Sequence, residues 1–200
     1  MRKSLALVLV SGAFCASNAS LLTNGSFEEP YVTTFDQFAD GQVPGWKVGS
    51  TNLMEVGLAS VYQVTGATGR NVVELDSNRN VGVYQDVALT QGSYRLTFDY
   101  ALRGANLEGR NPDTCDFQVL WNSQQLVALR PGSSTMSNLT FDVTANQGVN
   151  RLIFVGMGTN DGMGAIIDNA NLNPVPEPTS LAAMLVAVPL AIKRRRKDRG

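Results

Sequence analysis

The chain has 200 residues, 44% of them hydrophobic and 16% charged, with a formal net charge of −1 and no histidine. The missing imidazole excludes a Ser-His-Asp triad, a Cys-His dyad and every histidine-ligated metal site. The charge is uneven: residues 20–173 hold fifteen acids and eight bases, a net −7, so this part repels nucleic acid and anionic lipid and suits calcium or plain solubility.

The first element is a leader. Arg2 and Lys3 precede an apolar run over residues 5–10, and Ser17 and Ala19 put small side chains where a signal peptidase reads. This predicts a signal peptide over residues 1–19, cut between Ala19 and Ser20, with the Sec translocon and signal peptidase as partners in transit. The apolar run is shorter than the ~20 residues of a membrane span, which weighs against a retained N-terminal helix. Cys15 follows Phe14 rather than a small residue, so it does not sit in a lipoprotein signal. Without the leader Cys115 is the only cysteine. No internal disulfide can then form, and packing must hold the domain. A small apolar core residue is expected at Cys115; an intermolecular disulfide is the alternative.

Residues 20–173 form one domain long enough for a real core, and the pattern is β throughout. Strands are predicted over residues 72–75 and 81–87. Tyr94, Leu96, Phe98 and Tyr100 then alternate with Arg95, Thr97 and Asp99, a clean period of two. Cys115, Phe117, Val119 and Trp121 share one face of the next strand. Asn122-Ser123 turns the chain and residues 125–129 return, as in a hairpin. Further strands are predicted over 139–143, 151–157 and 165–172. Turn residues fall between them at Asn24-Gly25, Gln91-Gly92, Pro131-Gly132, Gln147-Gly148 and Asp161-Gly162. Many short strands with regular turns point to an antiparallel β-sandwich or barrel.

The chain ends on a second label. Residues 173–178 form a short linker stiffened by three prolines, expected to be extended and free of hydrogen bonds. Residues 179–192 are mostly apolar, 14 residues with Pro189 inside, and Lys193, Arg194, Arg195, Arg196 and Lys197 follow. As a helix this run is ~21 Å long, short of the ~30 Å hydrocarbon core. Membrane thinning and snorkelling narrow the gap. The span would hold weakly, and its basic stop would stay cytoplasmic.

Val175-Pro176-Glu177-Pro178, the apolar run and the basic stop together resemble the PEP-CTERM sorting signal of bacteria that secrete exopolysaccharide. The resemblance implies that residues 174–200 are a sorting signal and that an exosortase-type membrane protease cuts at the Pro-Glu-Pro motif.

Within the domain, Leu21-Leu22-Thr23-Asn24-Gly25-Ser26-Phe27-Glu28, Pro44-Gly45-Trp46, Val73-Glu74-Leu75-Asp76-Ser77, Gln85, the strand from Gly92 through Tyr100, and Ile167-Asp168-Asn169-Ala170-Asn171-Leu172 occur in that order. They resemble the motifs of DUF642-type and related galactose-binding-like jelly rolls, including family 4/9 carbohydrate-binding modules. The resemblance implies an antiparallel jelly-roll β-sandwich. It also implies a structural calcium where the first and last strands meet, with carboxylates from Glu28 and Asp168. The bland alternative is that these two acids cap turns.

Phe27, Trp46, Tyr94, Phe98 and Phe154 are expected in the core, and Trp121 either there or on a sugar-binding face. The loop over residues 103–114 offers Arg103, Asn106, Glu108, Arg110, Asn111 and Asp113 for sugar hydroxyls, without an aromatic. Glu74 and Asp76, two apart on a strand, and the neighbours Glu28/Glu29 and Asp113/Asp116 are the carboxylate pairs a glycosidase would need. Fifteen acids give such pairs by chance. The expected function is a non-catalytic structural or adhesive component of an extracellular matrix, with exopolysaccharide as a ligand. The alternatives are a carbohydrate-active enzyme or accessory hydrolase and a permanently anchored surface protein.

Overall fold

The computed structural model describes residues 19–49 and 51–176. They form an all-β sandwich of ten antiparallel strands, with no helix among the described residues. The strands are β1 (Phe35–Phe38), β2 (Met54–Leu58), β3 (Asn71–Glu74), β4 (Gly82–Leu89), β5 (Gly92–Ala101), β6 (Phe117–Trp121), β7 (Gln124–Leu129), β8 (Ser137–Ala145), β9 (Gly148–Gly156) and β10 (Ile166–Pro174). One sheet runs β1-β2-β3-β10-β5-β8 and the other β4-β9-β6-β7. The eight strands β3 to β10 divide four and four between the sheets, the distribution of a jelly roll. β1 and β2 extend the first sheet at its edge.

The period-two pattern did its work where one face is wet. β5 and β9 alternate buried and more exposed positions along most of their length. β2 is almost wholly buried and β1 is short and exposed. Neither shows alternation, so the sequence pattern marks neither. Between β6 and β7 the turn residues Asn122 and Ser123 have φ of 50° and 69°, the left-handed pair of a tight hairpin.

The core lies between the sheets. Phe27, Trp46, Phe154 and Phe98 form a chain of rings with centroids 4.9, 5.9 and 5.1 Å apart. All four are buried, as are Tyr94 and Trp121. Trp121 thus fills core, and its Nε1 donates to Thr144 O at 2.8 Å. A smaller cluster of Tyr62, Val64, Val72, Ala101 and Ile166 is separate from this core.

The two ends of the domain meet. Leu21 N–H donates to Leu172 O, and Ala170 N–H to Gly25 O. Gly25 lies so close to the Ala170 carbonyl that no side chain fits there. One expectation is corrected here. β10 runs on through Asn173 to Pro174, and Val175 N–H donates to Ser93 O at 2.9 Å. The start of the linker is therefore tied to the sheet rather than free of hydrogen bonds. Residues 1–18, Glu177, Pro178 and the basic stop lie outside the described residues. None of the described elements is a helix long and apolar enough to cross a membrane.

Candidate functional site

Glu28 and Asp168 grip the same short stretch of chain from two sides. Glu28 Oε1 accepts from the N–H groups of Arg70 and Asn71 at 2.8 and 2.9 Å. Asp168 Oδ2 accepts from Thr68 N–H at 2.7 Å, and its Oδ1 from Asn169 N–H at 2.6 Å. Gly69, between them, has φ of +76° and sits against the Glu28 carboxylate. Both acids thus do hold backbone N–H groups, as turn-capping residues would.

Their electrostatics leave room for a cation. Asp168 is fully buried, and burial pushes it up to about 7, with Asp99 and Glu28 adding repulsion. Asn71 spends its Nδ2 on Phe27 O and Pro30 O at 3.1 and 3.3 Å, and its buried Oδ1 has no hydrogen-bond partner. Among the described residues no three acids or cysteines gather as a metal group. The oxygens present nevertheless fit calcium in kind: two carboxylates, an orphaned amide oxygen and nearby carbonyls.

Glu74 and Asp76 are both fully buried, so neither reaches a polymer in solution. Asp76 lies just beyond the end of β3 rather than on it. Its Oδ2 accepts from the N–H groups of Asp161, Gly162 and Met163 at 2.8, 2.8 and 3.3 Å. Glu74 accepts from Gly164 N–H and Asp76 N–H. Burial, then Glu55, push Glu74 up to about 8. Arg103, expected on an exposed loop, is instead buried 3.8 Å from both Glu55 and Glu74, with its guanidinium 4.8 Å over the Tyr62 ring. Tyr62 Oη donates to Glu55 Oε1 at 2.9 Å.

Asn106 and Glu108 are exposed, whereas Arg110, Asn111, Asp113 and Thr114 bind the neighbouring loop. Asn111 Nδ2 donates to Thr159 Oγ1, Thr159 Oγ1 to Asp113 Oδ1, and Thr114 Oγ1 to Asp161 Oδ2, all at 3.0–3.1 Å. A cavity of about 240 Å³ lies beneath, lined in part by Leu102, Arg110, Asn111 and Cys115. Cys115 is buried, burial pushes its thiol up to about 11, and it is unavailable for an intermolecular disulfide in this fold.

Among the described residues two aromatics are exposed, Phe35 on β1 at 51% and Tyr31. Tyr31 is 71% exposed, and the Arg70 guanidinium stacks 4.6 Å from its ring centroid. Arg70 also lines a cavity of about 340 Å³, walled by Leu58, Ala59, Ser60, Gly66 and Gly69. That volume is near the low end of the ~300–1,000 Å³ of small-molecule sites. Arg95, Arg103, Arg110, Arg130 and Arg151 each lie within 4.0 Å of a carboxylate. Among the described residues Arg70 and Arg79 have no such partner, and Arg70 Nη2 donates only to Val32 O, at 3.5 Å. Tyr31 sits in a non-repeating segment after Pro30, so no periodicity marks it. An isolated tyrosine between turn residues was the only available signal.

No protein-family model matches the chain. It is 36% identical over 156 residues to a multifunctional-autoprocessing repeats-in-toxin protein of Vibrio vulnificus, covering 75% of this chain. The chain spans about 3% of the length of the curated relatives it matches. Among solved structures it is similar to a CBM35 module of Cellvibrio japonicus, with 20% identity, TM-score 0.45, and coverage of 72% of this chain and 95% of that one. An arabinose-bound α-L-arabinofuranosidase matches with 12% identity and TM-score 0.50, over 78% of this chain and 26% of that one. This last likeness shows a shared fold, the β-sandwich described above.

Proposed function

We propose that the protein is an exported, non-catalytic carbohydrate-binding component of the cell surface or extracellular matrix. The observation that carries this reading is Tyr31 beside the Arg70-lined cavity. A mostly solvated aromatic ring offers a flat apolar surface for the carbon face of a pyranose. An arginine with no carboxylate partner offers fixed donors to sugar hydroxyls. Glu28 holds the Arg70 backbone, so the pair is positioned before any ligand arrives. Calcium at Glu28 and Asp168, with Asn71 Oδ1, would neutralise the buried charge behind that stretch and stiffen it. The acids best spaced for hydrolysis, Glu74 and Asp76, are buried, which supports binding over catalysis. On this reading the protein passes through the Sec translocon, and its C-terminal label is read by an exosortase-type protease.

Native electrophoresis through gels containing the host's exopolysaccharide tests the reading. The wild-type protein should be retarded and generate no new reducing ends. Tyr31→Ala should lose most of the retardation, since one stacked aromatic is worth about 1–3 kcal/mol by analogy with base stacking. Equal retardation of wild type and Tyr31→Ala would remove this site, and reducing ends from the wild type would favour the hydrolase alternative.

A further inference from the structure

Five buried side-chain atoms among the described residues have no hydrogen-bond partner: Asn71 Oδ1, Asp76 Oδ1, Asn80 Oδ1, Arg103 Nε and Asp161 Oδ1. Three of them are oxygens on one pair of facing loops, the turn after β3 and the connection between β9 and β10. Most buried polar atoms in proteins find partners, so three bare acceptors on two loops that bind each other need an explanation.

Hydrogen bonds lace the two loops together. Asp76 Oδ2 takes three backbone N–H groups from residues 161–163. Asn80 Nδ2 donates to Gly158 O at 2.7 Å. Asp161 Oδ2 accepts from Thr114 Oγ1 at 3.1 Å and lies 3.5 Å from Arg110 Nη1. Each side chain therefore spends one end on a loop contact and keeps one oxygen buried and bare. Asp76 is fully buried. Burial holds it above the usual carboxylate range, and Asp161 adds a smaller repulsion.

We propose that Asp76 Oδ1, Asn80 Oδ1 and Asp161 Oδ1 together bind a divalent cation, calcium by the chemistry of two carboxylates and an amide. This site is distinct from the one at Glu28 and Asp168. Glu28 holds the chain at the start of β3, whereas Asp76 follows its end. The cation would pin the turn after β3 to the loop before β10, fixing one end of the sandwich.

Calorimetric titration of the exported protein with calcium, after chelator treatment, tests this. Asp168→Asn removes a ligand from the other site and isolates this one. Asp161→Asn or Asn80→Ala, added to Asp168→Asn, should weaken the remaining calcium binding more than about tenfold, with an unchanged circular dichroism spectrum. If Glu28 and Asp168 hold no metal, wild type binds one calcium that Asp161→Asn weakens and Asp168→Asn leaves alone, and the proposal stands by itself. An isotherm indifferent to both Asp161→Asn and Asn80→Ala, or no calcium uptake up to millimolar concentration, overturns it.

Discussion

Asp168 and Glu74 show how single buried acids set the pH response of the domain. Folding raises Asp168 from an ordinary 3.8 to about 7 and Glu74 from 4.5 to about 8. Below the ordinary values both acids are protonated whether folded or not. As pH rises the unfolded chain loses these protons first, so stability falls between the ordinary values and the folded ones. Each group contributes a slope of up to roughly 1.4 kcal/mol per pH unit inside its window. The melting temperature in chelator should therefore drop from pH 5 to pH 8, and Asp168→Asn should flatten part of that drop. Calcium should raise the melting temperature more at pH 8 than at pH 5, because it binds the ionised carboxylate. A melting temperature that rises over this interval in chelator would contradict the assignment. Asp86 and Asp142 act oppositely: hydrogen bonds from Arg151 and Arg95 hold them below the usual range, so their contribution fades only in stronger acid.

Among the elements, the β6–β7 hairpin was the most legible and is the most directly improvable. Its turn places two non-glycine residues in the left-handed region, Asn122 at φ 50° and Ser123 at φ 69°. Asparagine tolerates this conformation, but serine is disfavoured there, at a cost of roughly 1 kcal/mol or more. Ser123→Gly should raise the melting temperature by about 2–4 °C, the shift that 1 kcal/mol gives a domain of this size. Thermal unfolding followed by circular dichroism checks it, and a lower melting temperature would show that Ser123 has a role the backbone angle does not reveal. β1 and β2 illustrate the opposite case. Alternation appears only where one sheet face meets solvent. β2 is covered on both faces and β1 is an exposed edge, so pattern alone could not mark either.

At the scale of the molecule, an acidic domain whose one described cysteine, Cys115, is free lies between two basic ends of the sequence. Its first described segment closes on its last strand: Ser20 Oγ accepts from Leu172 N–H at 3.2 Å. Intact-mass measurement of protein recovered from culture medium should show a chain beginning at Ser20 and lacking the stop at Lys193–Arg196 and Lys197. A recovered mass that keeps the arginine-rich end would instead make this a permanently anchored surface protein. The domain would then work beside the membrane rather than in the matrix.

From the residues alone came the β class, the strands with one wet face, the aromatic core and the absence of histidine chemistry. Each of these depends on local order: a period of two, a turn dipeptide, a run of one polarity. Contacts across the sandwich depend on which distant segments fold against one another. Only the tertiary structure put Glu28 and Asp168 on the same four residues, buried Arg103 between two glutamates, hid Glu74 and Asp76, and left Tyr31 in solvent over Arg70. Burial and partnership belong to pairs of residues far apart in the chain, and nothing in the neighbours of Arg103 or Tyr31 in sequence encodes which of them meets water.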